Sequence, residues 1–235
     1  MGGRDDRIIG VLGGMGPLAG AWFMRRLVDL TPAERDADHV PAILVNDPRV
    51  PDRVAPITGE GASPVPAMLE GIGRLAAAGA GVVAIACNTA HRWHGEVADA
   101  SPVPVLDMVA ATAEALATRH SPGPVGLLAT RGMIAAELYQ SALAARGLAV
   151  AAADDDLNES AVLPAIAAVK AGRMTDAESA ARKAVQGMKE QGAQTLLVAC
   201  TELSVCWPQD LRATTIDSCD ELARAALRWA GVSPR

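Results

Sequence analysis

The chain has 235 residues, half of them hydrophobic and a fifth charged, the balance of a globular protein with a sizeable core in one large domain or two small ones. Its 21 Lys and Arg against 27 Asp and Glu give a net charge of −6 with the basic residues dispersed, and it holds one Phe and one Tyr, so neither a phosphate-binding patch nor a base-stacking surface for nucleic acid is expected. No apolar run reaches about 18 residues, and the charged start Met-Gly-Gly-Arg-Asp-Asp-Arg fits neither a signal peptide nor a myristoylation signal; the expectation is a cytoplasmic protein without a membrane span.

Apolar patterning predicts, in chain order, a strand over 8–12, a helix over 18–30, a strand over 42–46, a helix over 66–78, and strands over 82–86 and 103–106. A helix over 108–120, a strand over 125–128, a helix over 134–146 and a strand over 149–152 follow. Helices over 161–171 and 175–191 and strands over 196–199 and 214–216 complete the pattern. Strands alternating with helices predict an α/β fold of mostly parallel sheets flanked by helices. Because the strand runs are continuously apolar, both sheet faces should be covered.

The pattern also repeats. Ile9-Gly10-Val11-Leu12-Gly13-Gly14 is echoed by Val125-Gly126-Leu127-Leu128-Ala129-Thr130, with Gly10 and Gly126 116 residues apart. Ala86-Cys87-Asn88-Thr89 is echoed by Ala199-Cys200-Thr201-Glu202, with the cysteines 113 residues apart. Two landmarks at nearly one offset predict two pseudo-symmetric lobes, residues 1–103 plus 214–235 and residues 104–213, with an active site in the cleft between them. Both cysteines and both opening loops fall at the carboxyl ends of strands, where parallel sheets gather ligand contacts.

An unperturbed thiol ionises at about pH 8.5, and a strand-to-helix junction favours the thiolate, so each cysteine is a candidate acid or base. Two of them facing one cleft permit a two-base scheme, in which one thiolate removes a proton from carbon and the opposite thiol returns one. Neither a metal nor an organic cofactor is needed. Cys206 and Cys219 lack a partner motif and read as core filling, and in a reducing compartment all four are thiols with no Cys-x-x-Cys pair. His91 and His94 have no third ligand nearby, so no metal site is expected, and His91 reads either as a residue tuning Cys87 or as a satisfied helix-face histidine. Gly14-Met15-Gly16-Pro17-Leu18-Ala19 fits the dinucleotide pattern G-x-G-x-x-A, with Asp47 as the nearest acidic candidate. It fits equally a backbone turn presenting N–H groups to a carboxylate.

Taken together, Gly13-Gly14-Met15-Gly16-Pro17, the stretch from Asn46 to Arg53, Ala86-Cys87-Asn88-Thr89-Ala90-His91, Val169-Lys170-Ala171-Gly172 and Ala199-Cys200-Thr201-Glu202 resemble the aspartate/glutamate racemase family in order and spacing. The resemblance is nearest to its cofactor-independent aspartate racemase branch. It implies a racemase interconverting L- and D-aspartate, or glutamate or a related amino acid, with Cys87 and Cys200 as the proton donor and acceptor. It further implies that Asn88, Thr89, Thr130 and Thr201 hold the α-carboxylate and ammonium, and that Arg53 and Lys170 serve the substrate's carboxylates. Met15 and Ala90 join the substrate-binding set by the same resemblance, and a homodimer is expected. After Gly132 the chain places Met133 where the family commonly has threonine, which would reshape one wall of the cleft. Two other readings stay open: a cysteine-dependent cis–trans isomerase of a small unsaturated diacid, and a nucleotide-binding sensor using the glycine loop.

Overall fold

The computed structural model describes residues 7–119 and 123–235, so the amino-terminal charged stretch and His120 lie outside the described residues. The elements in chain order are β1 (Ile8–Gly13), α1 (Pro17–Leu30), β2 (Ala42–Asn46), α2 (Val65–Ala77), β3 (Ala80–Ile85), α3 (His94–Ala100) and α4 (Met108–Arg119). Then come β4 (Val125–Ala129), α5 (Arg131–Ala135), α6 (Leu138–Ala144), β5 (Val150–Ala152), the single turn α7 (Asp155–Leu157), α8 (Leu163–Lys170) and α9 (Met174–Glu190). The chain closes with β6 (Thr195–Ala199), α10 (Thr201–Cys206), β7 (Thr215–Asp217) and α11 (Ser218–Trp229). No helix among the described residues is long and apolar enough to cross a membrane.

The first unit runs to Met108 and resumes at Cys219. Its sheet has the order β2-β1-β3, with every pair parallel. Alternation along the strands sorts side chains to two cores. Ile9, Val11, Val82, Ala84 and Ala86 meet Phe23, Leu27, Leu222 and Leu227 on one face. Leu12, Val83, Ile85 and Cys87 meet Met68, Ile72 and Leu75 on the other. Gly10 in the central strand leaves no room for a side chain, since a Cβ there would lie 2.8 Å from that of Ala80.

The second unit, Val109–Ser218, has a parallel sheet of order β5-β4-β6-β7 built on the same rule. Leu128, Leu196, Val198 and Cys200 face a core with Val169, Val185 and Leu203. Val125, Leu127, Leu197 and Ala199 face one with Leu116, Met133 and Tyr139. Gly126 repeats the constraint of Gly10, for a Cβ would lie 2.6 Å from that of Ala193. The repeated glycines are therefore close-packing positions, one in each sheet.

The structure departs from the sequence expectations in four places. The expected strand over 103–106 survives only as an isolated bridge between Val105 and Val83, supported by the Leu106 N–H to the Val83 carbonyl. That attachment keeps the segment on the first unit, while β7 pairs with β6 and so joins the second. The units accordingly part five residues later at each crossing than the expected 103/104 and 213/214. The single helix expected over 134–146 is broken at Glu137, whose φ of 53° is left-handed. Met133 and Tyr139 are both fully buried in one core, whereas residues six apart on an unbroken helix point about 120° away from each other. The helix expected from 161 begins after a π-helical turn over Asn158–Val162. Finally, the expected elements stop at 216, yet α11 buries Leu222, Ala223, Ala226 and Leu227 at helical spacing.

Candidate active site

In the first unit the alternation that sends Val83 and Ile85 to one core also sends Cys87 there, with 5% of its surface exposed. Met15 and Ala90 share that core, so three of the expected site residues are brought together. Asn88 and Thr89 follow, buried, at the start of a 3-10 turn over Thr89–Trp93. The Cys87 carbonyl lies 2.9 Å from Nδ1 of His91, a buried histidine.

The adjoining loop explains its glycine by approach rather than by nucleotide chemistry. Gly14 has φ +93°, and a Cβ there would fall 2.1 Å from the Asp47 carbonyl oxygen. The Asp47 carboxylate is itself occupied: Arg49 grips it through Nε at 2.9 Å and Nη2 at 2.6 Å, with Arg74 at 3.5 Å. Hydrogen bonds from Arg49 hold the Asp47 carboxyl well below the usual carboxylate range. The acidic partner that a dinucleotide fingerprint needs is thus committed to two arginines.

In the second unit β6 ends one residue before Cys200, which opens α10 in an extended conformation and is 3% exposed. The Ser204 N–H donates to the Cys200 carbonyl at 3.1 Å, while the Ser204 hydroxyl donates to Asp217 at 2.7 Å. Arg212, half-buried, stands 3.5 Å from the other oxygen of the buried Asp217. Glu202 faces the thiol directly: Cys200 Sγ donates to Glu202 Oε2 at 3.3 Å, and the Thr201 hydroxyl reaches the same oxygen at 3.5 Å. Burial, reinforced by the Glu202 charge, pushes the Cys200 thiol well above its ordinary pKa. This corrects the expectation that a strand-to-helix junction would ease its ionisation. With only six residues in α10, a small dipole opposes two larger effects of opposite sign.

The remaining predicted residues take more varied positions. Arg53 is half-buried and bends back on its own loop, Nη1 donating to the Pro51 carbonyl at 2.9 Å and the Val50 carbonyl at 3.3 Å. Thr130 caps α5, its Oγ1 accepting the Met133 N–H at 3.2 Å. Met133 is fully buried among Val109, Leu116 and Tyr139, so it fills a core and does not line a wall, as the sequence had implied. Lys170 ends α8 exposed, where a positive charge suits the helix carboxyl terminus. Its neighbour Val169 belongs to the core that holds Cys200. Patterning missed the Ser204–Asp217–Arg212 cluster, which joins α10, the turn after it and β7; the one signal was an acidic residue directly after an apolar strand. Among the described residues no three His, Cys, Asp or Glu side chains are grouped as a metal ion requires.

Comparison with known proteins places this geometry. Residues 12–226 match the family described as Asp/Glu/Hydantoin racemase. The chain is 28% identical over 201 residues to the broad specificity amino-acid racemase RacX of Bacillus subtilis, covering 84% of this chain and 86% of that one. Its structure resembles that of the aspartate racemase of Picrophilus torridus with a TM-score of 0.87 and 32% identity, over 97% of this chain and 96% of the other. It shares its fold with a glutamate racemase from Francisella tularensis solved with D-glutamate, at a TM-score of 0.67 and 18% identity, over 96% and 81% of the two chains.

Proposed function

Because the chain belongs to the Asp/Glu/Hydantoin racemase family, we propose that it is a cofactor-independent amino-acid racemase interconverting L- and D-aspartate through Cys87 and Cys200. The similarity to the Picrophilus torridus aspartate racemase over nearly the whole of both chains carries this reading. It is supported by a buried cysteine at the end of a central-sheet strand in each unit.

In the proposed reaction one sulfur, as thiolate, takes the proton from Cα and becomes a thiol. The C–H electron pair stays on the substrate as a carbanion delocalised into the α-carboxylate. The second sulfur, starting as a thiol, delivers its proton to the other face and becomes a thiolate. One turnover therefore exchanges the protonation states of the two sulfurs with no net change in charge. The hydrogen bond to Glu202 and the raised pKa of Cys200 favour a resting state in which Cys200 is the thiol and Cys87 the base. Asn88, Thr89, Thr130 and Thr201 are proposed to bind the amino-acid head, with Arg53 and Lys170 supplying positive charge to a dianionic substrate.

Likeness to RacX favours a second reading, in which the substrate range is broad and extends to amino acids other than aspartate. One experiment addresses both. Purified protein is incubated in deuterated water with L-aspartate, L-glutamate and a panel of neutral L-amino acids, and deuterium at Cα and the D-enantiomer are followed by NMR and chiral chromatography. Exchange accompanied by inversion is expected, fastest with aspartate. Absence of both with every amino acid would sink the reading.

A further inference from the structure

The two cysteine turns secure their carbonyls differently. After Cys200 the turn is α-helical, and the carbonyl accepts the backbone N–H of Ser204, four residues on, at 3.1 Å. After Cys87 the turn is 3-10, so the backbone N–H four residues on, that of His91, goes instead to the Asn88 carbonyl at 3.0 Å. The side chain of the same residue reaches the Cys87 carbonyl, with Nδ1 at 2.9 Å. An imidazole thus does in the first unit what a peptide N–H does in the second.

A carbonyl can only accept, so Nδ1 must carry the hydrogen. Burial pushes the His91 pKa below its ordinary value, against the opposing influence of the Cys87 carbonyl, Asp107 and the Leu106 backbone, and leaves a neutral ring. Nε2 then carries a lone pair. That atom is buried and completes no hydrogen bond among the described residues. The ring is held in place by a parallel stack on His94, with centroids 5.7 Å apart and planes within 7°. His94 Nε2 in turn lies 3.2 Å from the carbonyl of Val105, which bridges to β3 at Val83.

We propose that His91 is a positioning residue for Cys87: its Nδ1–H fixes the Cys87 carbonyl, and thereby the direction of the sulfur and of the Asn88 and Thr89 amides that follow. The inference rests on the reading of Cys87 as an acid–base group. Displacing a reacting group by about 1 Å costs on the order of 100-fold in rate, so a misaligned carbonyl is sufficient to impair turnover.

The test compares His91→Asn, which keeps an N–H donor near the place of Nδ1, with His91→Leu, which fills the space and donates nothing. Racemisation of aspartate is measured with both, alongside the rate at which iodoacetamide alkylates Cys87, read by peptide mass spectrometry without substrate. His91→Leu should lower kcat by about 10- to 100-fold with KM little changed, and alter Cys87 alkylation. His91→Asn should restore most of both. Equal losses in the two variants, or none in either, overturn the proposal. If the parent protein fails to racemise any amino acid while alkylation still follows the donor at residue 91, the racemase reading fails and the positioning role stands. Should His91→Leu not fold, the nitrogen-15 spectrum of the parent imidazole decides: hydrogen on Nδ1 alone at neutral pH supports the proposal, and hydrogen on Nε2 contradicts it.

Discussion

Cys87 and Cys200 stand at equivalent places in two sheets, yet their surroundings differ in kind. Each continues the alternation of a buried parallel strand and packs its sulfur among aliphatic residues. Beside Cys87 a neutral imidazole is bonded to the main chain, while beside Cys200 a carboxylate is bonded to the sulfur itself. Repetition has thus kept a buried cysteine after a parallel strand in each unit, while the turn that follows and the groups beside it differ. For a two-base reaction that is useful, because one thiol must start protonated and the other ionised. In the proposed reaction the Glu202 charge favours the proton on Cys200.

Removing either sulfur should have the largest effect. Cys87→Ser and Cys200→Ser are each expected to reduce racemisation at least about 1000-fold, since a hydroxyl is too weak an acid to exchange protons at neutral pH. Chiral chromatography of the products tests this, and near-parental activity in either variant breaks the pairing. Next in size is the contrast between the opening loops, where left-handed Gly14 occupies the place held in the second unit by Thr130 at φ −65°. Gly14→Ala should lower unfolding free energy by about 2–3 kcal/mol, because it adds strain and a clash with Asp47, and urea denaturation would show it.

Glu202→Gln sharpens the comparison by making the two sulfurs more alike. With the negative charge gone, the Cys200 pKa should fall toward its ordinary value. A shift of one unit would give about tenfold more thiolate at mildly alkaline pH, visible in a titration of thiolate absorbance. Loss of this residue should also bring the alkaline decline in racemisation to lower pH. An unchanged titration would mean that burial alone holds the proton.

Cys206 provides the control, with the smallest expected effect at neutral pH. It lies in the same core as Cys200, and burial pushes its thiol up to about 12. The native thiol then keeps its proton where the unfolded one, near 8.5, loses it. Its contribution to stability is complete below about pH 8.5 and is lost as pH rises toward 12. Unfolding followed from pH 8 to 12 should fall less steeply in Cys206→Ala than in the parent, while neutral-pH activity stays near parental. Identical slopes would remove burial as the source of the shift.

Much of this was legible in local pattern. Continuous apolar runs identify β1, β3, β4 and β6, and the cysteines are recognisable because they directly follow two of those runs. Other features were hidden for definite reasons. No Gly or Pro marks the break at Glu137, since it comes from the need to turn both Met133 and Tyr139 into one core. The chain's last residues were expected in the first unit, but the helix they form there, α11, went unread although its apolar spacing is helical; it packs with Phe23 and Leu27 from the opposite end of the chain. Met133 misleads because its place after Gly132 says nothing about which way the first turn of α5 faces.

From the chain alone came the α/β class, the internal repeat and the two candidate thiols, all of which depend on periodicities of two and 3.6 residues and on spacing along the sequence. Tertiary structure decided what each thiol experiences. Burial that raises the Cys200 pKa, the Asp217–Arg212 pair behind Ser204, and the segment bracing His94 against β3 bring together groups with no fixed sequence separation. Local patterning orients side chains toward a core, but the dielectric and the charges they meet there are set by which other segments arrive.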